Sequence, residues 1–202
     1  MMNKLIVLPI VLAIIAAAYL GYSTPLSTRE VAFQAPAITD NGEGTMASFK
    51  LFLRPGEGRT LVNIDNALYR EDSENSLRKA KAIAERFVGL KMTGYDLVLE
   101  VDGGERIVGG ESAGMLFTAA IVSAYSGRKL HAEATGSAAV SEEGKLLPID
   151  GVEEKMHAAS QVGKKYFVVC KDQQINREAE LSKIIQIVRV ENAGEAIRLL
   201  LE

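Results

Sequence analysis

The segment from Ser112 to Tyr125 is apolar on every side of a helical wheel. A helix of this kind has no polar face to turn toward water, so it has to lie inside a domain and be covered by other elements. The chain has 202 residues and is 48% hydrophobic, which suits one domain with a sizeable core rather than two large domains. We therefore expect a single domain built around this segment.

Both strands and helices are predicted from the residue pattern. Strand patterns occur at 45–53, 60–64, 95–101, within 130–148, at 165–169 and at 186–190. Apolar residues at helical spacing predict helices at 74–88, 151–162 and 193–200. The strand at 60–64 is expected to return from the turn at 54–58. The expected fold class is α+β (α/β-like), as one compact domain of mixed sheets and helices preceded by an N-terminal hydrophobic helix.

That hydrophobic helix is predicted from residues 5–20, an uncharged apolar run preceded by Lys4. Gly21-Tyr22 can extend the run to about the roughly 17–25 residues that a spanning helix needs. We expect residues 1–22 to be a membrane anchor, with Lys4 holding the N-terminus in the cytoplasm. A cleaved signal peptide is the competing interpretation, because Ala16-Ala-Ala18 offers small residues after an apolar core.

The N-terminal segment also determines how the rest of the chain is divided and where its domain lies. Residues 23–34 are expected to form a linker and the first strand, and residues 35–202 the folded domain. Both interpretations of the N-terminus deliver the domain to the outside of the cytoplasmic membrane. It is held there as a single-pass protein through residues 5–22, or it is secreted if the segment is cleaved.

A candidate nucleophile stands at the start of the apolar segment, in the pattern Gly110-x-Ser112-x-Gly114. This pattern is the nucleophile elbow of α/β-hydrolases, in which a serine works with a histidine and an acid. Free N–H groups at the beginning of a helix would stabilise an oxyanion there. The alternative is that Ser112 only caps the helix, as many serines in this position do.

A second candidate is Lys155, which falls between Val152, Ala159 and Val162 on the apolar face of the helix at 151–162. Burial disfavours a charged amine, so its pKa falls and a neutral amine that accepts a proton becomes accessible. The alternatives are a lysine whose stem covers apolar surface while its head reaches water, or an ion pair with Asp150.

Composition excludes several other functions. The net charge of −3 gives no basic surface for nucleic acid. Cys170 lies in an apolar run, which favours a buried structural thiol. Of the two histidines, His157 falls on the polar face of its helix and His131 on a strand-like segment, so a Ser–His pairing has weak support. No His/Cys/Asp cluster has ligand spacing, so no metal and no other cofactor is expected.

Taken together, these segments resemble the Lon protease proteolytic domain, a family of Ser–Lys peptidases. The resemblance rests on Gly110-Glu-Ser-Ala-Gly114, on Ala119 to Gly127, on Thr135-Gly-Ser137 and on Gly144 to Lys155. Ser112 and Lys155 are 43 positions apart, which fits the family's spacing of its dyad. The part from 36 to 68 looks like membrane-anchored or secreted relatives without an ATPase module. The resemblance implies a fold like domain 2 of ribosomal protein S5.

The resemblance also implies the roles of individual residues. Ser112 would be the nucleophile and Lys155 the general base and later acid, with the N–H of Ala113 among the oxyanion donors. A hydroxyl would hold the amine in line, and Thr135 matches by motif whereas an alignment without gaps puts Ser137 there. Glu111 departs from the family's usual Pro or Asp, and would raise the pKa of Lys155 or orient a water.

The function expected from these residues is ATP-independent serine endopeptidase activity on unfolded or loose polypeptides. No Walker A motif is present in the sequence, since 143–146 lacks its first glycine and its hydroxyl. The resemblance allows assembly into a homo-oligomeric ring. Two rivals stay open: a catalytically degenerate, membrane-tethered Lon-like binding scaffold, favoured by departures at Glu111, Gly109 and Asp150, and an esterase that uses His157.

Overall fold

The computed structural model describes residues 27–63, 71–102, 107–108 and 110–202. The strands are β1 (Arg29–Thr39), β2 (Gly44–Pro55), β3 (Thr60–Asn63), β4 (Tyr95–Asp102), β5 (Ile107–Val108), β6 (Ala134–Gly136), β7 (Ala139–Val140), β8 (Leu146–Leu147), β9 (Tyr166–Cys170) and β10 (Gln186–Val190). The helices are α1 (Glu71–Val88), α2 (Gly114–Ser126), α3 (Val152–Gln161), α4 (Glu178–Leu181) and α5 (Ala193–Leu200), with a 3₁₀ turn at Glu111–Ala113 before α2. A mixture of strands and helices was expected and is confirmed.

A five-stranded sheet, in the order β3-β4-β2-β1-β5, forms one layer of the fold. Strands β1 and β2 pair antiparallel from Arg29↔Leu53 to Ile38↔Gly44, and β2 pairs antiparallel with β4. A second sheet, in the order β10-β9-β6, is parallel, and β7 pairs with β8 as a separate ribbon. Alternation along β1 and β2 directs Ala35, Ala47 and similar side chains into the core.

Strand β3 does not pair with β2, so the expectation that the chain returns beside β2 after the turn at 54–58 is wrong. It pairs in parallel with β4 instead, from Thr60↔Leu97 to Asn63↔Glu100. The buried carboxylate of Asp96 explains the change, because its Oδ1 accepts hydrogen bonds from the N–H groups of Glu57 and Arg59, both at 2.9 Å. These bonds fold the turn after β2 over the start of β4, and the chain then continues along β4.

Helix α2 lies in the middle of the domain, as the sequence predicts. Every residue from Gly114 to Ala124 is buried. The helix contacts α1, α5 and the inner face of β1 and β2. Phe117 packs edge-on against Phe33 and Phe49, with ring centroids 6.2 and 5.5 Å away. A helix enclosed in this way fixes the position of the turn that precedes it.

Helix α3 packs on β1 and β2. The approach is close, since a Cβ on Gly44 of β2 would lie 2.0 Å from the main-chain oxygen of Glu154. Val152, Met156 and Ala159 of α3 are buried in a second apolar cluster with β9 and α4. The prediction that Val162 shares this face is wrong: it is 50% exposed, because the helix ends at Gln161 and the chain turns away at Gly163, where φ is 83°.

The predicted anchor at residues 1–22 lies outside the described residues. Within the part of the chain that the structure describes, none of the helices has the length and apolar character required to cross a bilayer.

Candidate active site

Ser112 stands in the 3₁₀ turn between β5 and α2 and is half-buried. The strand before this turn, β5, pairs with the end of β1, where Ile38 lies opposite Val108 and Thr39 opposite Ile107. Gly110 is extended, with φ −170°, and the chain then turns sharply into the buried helix. The side chain of Ser112 makes no hydrogen bond to a described residue, and neither the turn nor α2 has a side-chain cap. The interpretation of Ser112 as a helix cap is therefore wrong.

Two buried serines hold the main chain of this turn. Ser137 Oγ donates a hydrogen bond of 3.1 Å to the carbonyl oxygen of Ser112. Ser76 Oγ, on α1, donates a hydrogen bond of 3.3 Å to the carbonyl oxygen of Glu111. Because both acceptors are main-chain atoms, these bonds fix the backbone on which the Ser112 hydroxyl is carried and leave that hydroxyl unused.

The second glycine of the motif is required by packing. A Cβ on Gly114 would lie 2.9 Å from both Ser76 Oγ and Val140 Cγ2, closer than real Cβ contacts. The N–H of Gly114 donates to the carbonyl of Glu111, and the N–H of Met115 donates to the carbonyl of Ala138 at 3.2 Å. The start of α2 is thus hydrogen-bonded to the residue that directly precedes β7.

Lys155 lies one turn into α3 and is 4% exposed. Burial lowers its pKa to about 8, an effect that the negative charge of Asp150 opposes. Among the described residues its Nζ has no hydrogen-bond or ion-pair partner. The ion-pair alternative is therefore wrong, because the amine forms no ion pair with Asp150 among the described residues. Its position on the apolar face is confirmed.

Thr135 lies on β6 and Ser137 directly follows that strand. The hydroxyls of the two residues have different contacts. Both residues are 1% exposed. Ser137 uses its Oγ for the carbonyl of Ser112 and its N–H for the carbonyl of Val168, at 3.0 Å. Thr135 Oγ1 is the buried side-chain atom that lacks a hydrogen-bond partner within the described residues. The structure thus brings Ser137 to Ser112 and leaves the Thr135 hydroxyl unpaired.

The elements that carry the candidates converge on the end of β1. Ile38 of β1 pairs with Val108, which precedes Ser112 by four residues. The Cδ1 atom of Ile38 also lies 3.0 Å from the position that a Cβ on Gly151 would take, and Gly151 precedes Lys155 by four residues. With φ at +64°, Gly151 adopts a left-handed conformation that favours glycine and lets α3 begin beside this strand. The strand therefore brings the turn and α3 to the same end of the sheet.

Glu111 does not act on Lys155 as expected. Its carboxylate pairs with the ammonium of Lys79 on α1, with Oε1 and Nζ 2.6 Å apart. The carboxylate that raises the pKa of Lys155 belongs to Asp150 instead. Sequence reasoning missed both Lys79 and Ser76, which lie on the helix that was predicted from its apolar positions alone. The one signal in the sequence was the charge of Glu111 beside the candidate nucleophile, with no opposite charge among its nearest neighbours in sequence.

The two histidines have different surroundings. His131 Nδ1 accepts a hydrogen bond from the N–H of Glu133 at 3.2 Å, and its ring packs edge-on against Tyr166. His157 is half-buried on α3. In the described part of the chain no hydrogen bond joins either ring to Ser112, which gives the esterase interpretation no support.

Comparison with known proteins gives a consistent result. Residues 68–202 match the family model of the Lon protease (S16) C-terminal proteolytic domain. The chain is 31% identical over 168 residues to a Lon protease of Metamycoplasma arthritidis, covering 79% of this chain and 20% of that protein. It is 31% identical over 198 residues to Lon protease 1 of Thermus thermophilus, covering 91% of this chain and 24% of that one.

A third relative is the Archaeal Lon protease of Archaeoglobus fulgidus, which is 26% identical over 148 residues, with 72% of this chain and 23% of that protein covered. The chain therefore spans between a fifth and a quarter of the length of these curated relatives. The family match covers the turn, α2, β6 and α3, which are the elements that hold the candidate residues. This chain belongs to the family of the Lon protease (S16) C-terminal proteolytic domain.

Proposed function

We propose that this chain is a serine endopeptidase in which Ser112 is the nucleophile and Lys155 the general base. The observation that carries the proposal is the buried amine of Lys155, whose pKa is lowered to about 8 in a chain of the Lon proteolytic family. With that pKa about a tenth of the amine is neutral at pH 7, against about one molecule in 3,000 for an ordinary lysine. A base of this strength suits the deprotonation of a serine near neutral pH.

The reaction is amide hydrolysis through an acyl-enzyme. Neutral Lys155 accepts the proton of Ser112 Oγ while that oxygen attacks the peptide carbonyl. The resulting ammonium donates its proton to the leaving amine, and the C–N bond breaks to leave an ester on Ser112. The neutral amine then takes a proton from water, which attacks the ester. The bond between the acyl carbon and Ser112 Oγ breaks, the acid leaves, and the ammonium of Lys155 returns its proton to Ser112 Oγ. This is the serine–lysine variant of the catalytic triad.

Thr135 is the better candidate for the hydroxyl that orients the lysine. Its Oγ1 is buried without a partner in the described part of the chain, whereas the Ser137 hydroxyl is already donated to the carbonyl of Ser112. A buried hydroxyl that lacks a partner is destabilising, so its retention supports a role that uses it. Ser137 would instead position the nucleophile's peptide group.

The oxyanion donor that we propose is a main-chain N–H of the turn that carries Ser112. The N–H groups of Gly114 and Met115 already donate to Glu111 and Ala138. The N–H of Ala113, which precedes them at the start of the helical segment, is the group we assign to the developing oxyanion. Ala113 has no side-chain role in this assignment.

The substrates we propose are unfolded or loosely structured polypeptides, hydrolysed without ATP by this chain. The Lon names of the relatives and the absence of a Walker A motif from the sequence support this assignment. We further propose that residues 5–22 hold the domain on the outer side of the cytoplasmic membrane, or direct its secretion if they are cleaved. Assembly into a homo-oligomeric ring is part of the same proposal.

A serine-directed fluorophosphonate probe and mass spectrometry test the assignment on the full chain. The probe should modify Ser112 in the wild type and not in Lys155→Arg, because a guanidinium does not release its proton in this range. Lys164→Arg is the matched control, since Lys164 is also part-buried with a lowered pKa but donates to the carbonyl of Ala132. Equal labelling of wild type and Lys155→Arg, or no labelling and no casein cleavage by the wild type, would overturn the proposal in favour of an esterase or a binding scaffold.

A further inference from the structure

Helix α1 contacts the nucleophile-bearing turn at two points that lie three residues apart on one helical face. Ser76 Oγ donates to the carbonyl oxygen of Glu111, and Lys79 Nζ lies 2.6 Å from the carboxylate of the same residue. Residues three apart in a helix are neighbours on its surface, so both groups reach the turn from the same side. Glu111 is thus held through its main chain and its side chain at once.

We propose that Lys79 and Ser76 form a clamp on Glu111 that positions Ser112 for reaction, with Lys79 as a positioning residue. The proposal rests on the proposed function, since it names what aligns the nucleophile assigned there. Glu111 and Ser112 are adjacent, so a rotation of the Glu111 peptide would carry the Ser112 hydroxyl with it. The carbonyl of Ser112 is held by Ser137, which follows β6, and the clamp supplies a second support.

The ion pair is suited to positioning more than to stabilising the fold. The side chains of Lys79 and Glu111 are 28% and 40% exposed. Pairs with this much exposure are screened by solvent and contribute little to global stability. A Glu111 carboxylate that is hydrogen-bonded at short range nevertheless restricts the turn to one orientation. Removal of the lysine should therefore disturb the turn while the rest of the domain stays folded.

Lys79→Met in the full chain tests the clamp. Arg78→Met is the matched control, because Arg78 lies next to Lys79 on α1 but pairs with Glu74 and Asn75 within the helix. A third variant exchanges the charges, as Lys79→Glu with Glu111→Lys. The two measurements are hydrogen exchange at the amides of Gly114 and Met115, and the rate at which a fluorophosphonate labels Ser112. Thermal midpoints are recorded for every variant.

Lys79→Met should speed exchange at both amides and slow labelling about tenfold or more, since small misplacements of reacting groups are costly. Arg78→Met should leave both measurements at wild-type values, and the charge exchange should restore part of the loss. Thermal midpoints should agree among all variants. For substrate cleavage, kcat should fall while KM stays the same, because the clamp acts on the nucleophile and not on binding.

The clamp is refuted if Lys79→Met matches Arg78→Met in both exchange and labelling, or if the charge exchange restores nothing. The proposed function fails by a different result, namely that wild-type Ser112 is not labelled at all. In that case hydrogen exchange at the two amides still decides whether Lys79 holds the turn.

Discussion

Replacement of Lys155 by methionine should stabilise the protein while it removes the proposed base. Methionine keeps an unbranched side chain of similar length in the apolar surroundings of α3, and it carries no charge. Burial lowers the pKa of Lys155 from its ordinary value of 10.5 to about 8. That shift means that the folded protein opposes protonation of an amine that the unfolded chain protonates readily.

The magnitude follows from the same two values. A difference of 2.5 pKa units corresponds to about 3 kcal/mol of lost stability at pH 7, where the amine of the unfolded chain is fully charged. Between pH 8 and 10.5 the unfolded chain binds more protons than the folded one, so stability rises with pH through this window. The penalty is fully present below pH 8 and falls to about 1 kcal/mol at pH 10.

Urea denaturation of wild type and Lys155→Met at pH 7 and pH 10 measures this difference directly. The variant should gain about 3 kcal/mol at pH 7, which is about 6–12 °C in Tm for a domain of this size, and about 1 kcal/mol at pH 10. Lys50→Met, at an exposed position on β2, is the control and should show no gain. A gain that is absent, or equal at both pH values, would show that the amine is not desolvated and would remove the argument for a neutral base.

Four other outcomes are expected. Thr135→Val should stabilise the protein by about 1–3 kcal/mol, because it removes a buried hydroxyl that has no partner among the described residues. The same variant should slow fluorophosphonate labelling of Ser112, and Thr135→Ser should restore the labelling rate. Gly44→Ala should cost about 3 kcal/mol in urea denaturation, because its Cβ would stand 2.0 Å from the Glu154 oxygen. Ser137→Ala should cost about 1 kcal/mol by the same assay, with the loss of its bond to the Ser112 carbonyl. The labelling rate should rise with pH to half its maximum near pH 8, where the buried amine loses its proton; a flat profile from about pH 5 to 10 would contradict this.

Features that depend on local periodicity could be predicted from the sequence. The all-apolar pattern of 112–125 required an enclosed helix, and α2 is enclosed. The helical wheel placed Lys155 among apolar neighbours, and it is buried there. The wheel erred at Val162 because it assumed that the helix continued, whereas the left-handed Gly163 ends it first. Position on a face is local information, but the length of a helix also depends on where the chain must go next.

Strand partners could not be predicted in the same way. Strand β1 contains Pro36, which argues against a strand because proline lacks the N–H of a sheet ladder. It is tolerated here because, in the described part of the chain, β5 pairs with β1 only at Ile38 and Thr39, so Pro36 has β2 as its ladder neighbour on one side alone. The parallel pairing of β3 with β4 depends on the buried Asp96, whose partners come from a turn far away in sequence. Contacts between residues so far apart in sequence exist only in the folded chain, so the local residue pattern does not predict them.

The choice between Thr135 and Ser137 shows most clearly what sequence spacing lacks. Residues two apart on a strand point to the same face, so no periodicity separates them. Their hydrogen-bond partners differ, because the Ser137 hydroxyl donates to the carbonyl of Ser112, whereas the Thr135 hydroxyl is buried without a partner among the described residues. The domain thus retains an unpaired hydroxyl that costs about 1–3 kcal/mol and a desolvated amine that costs about 3 kcal/mol. A fold selected for stability alone would replace both with apolar groups. A single hydrogen bond between the Thr135 hydroxyl and the Lys155 amine would relieve part of both costs, and it would align the amine for proton transfer from Ser112.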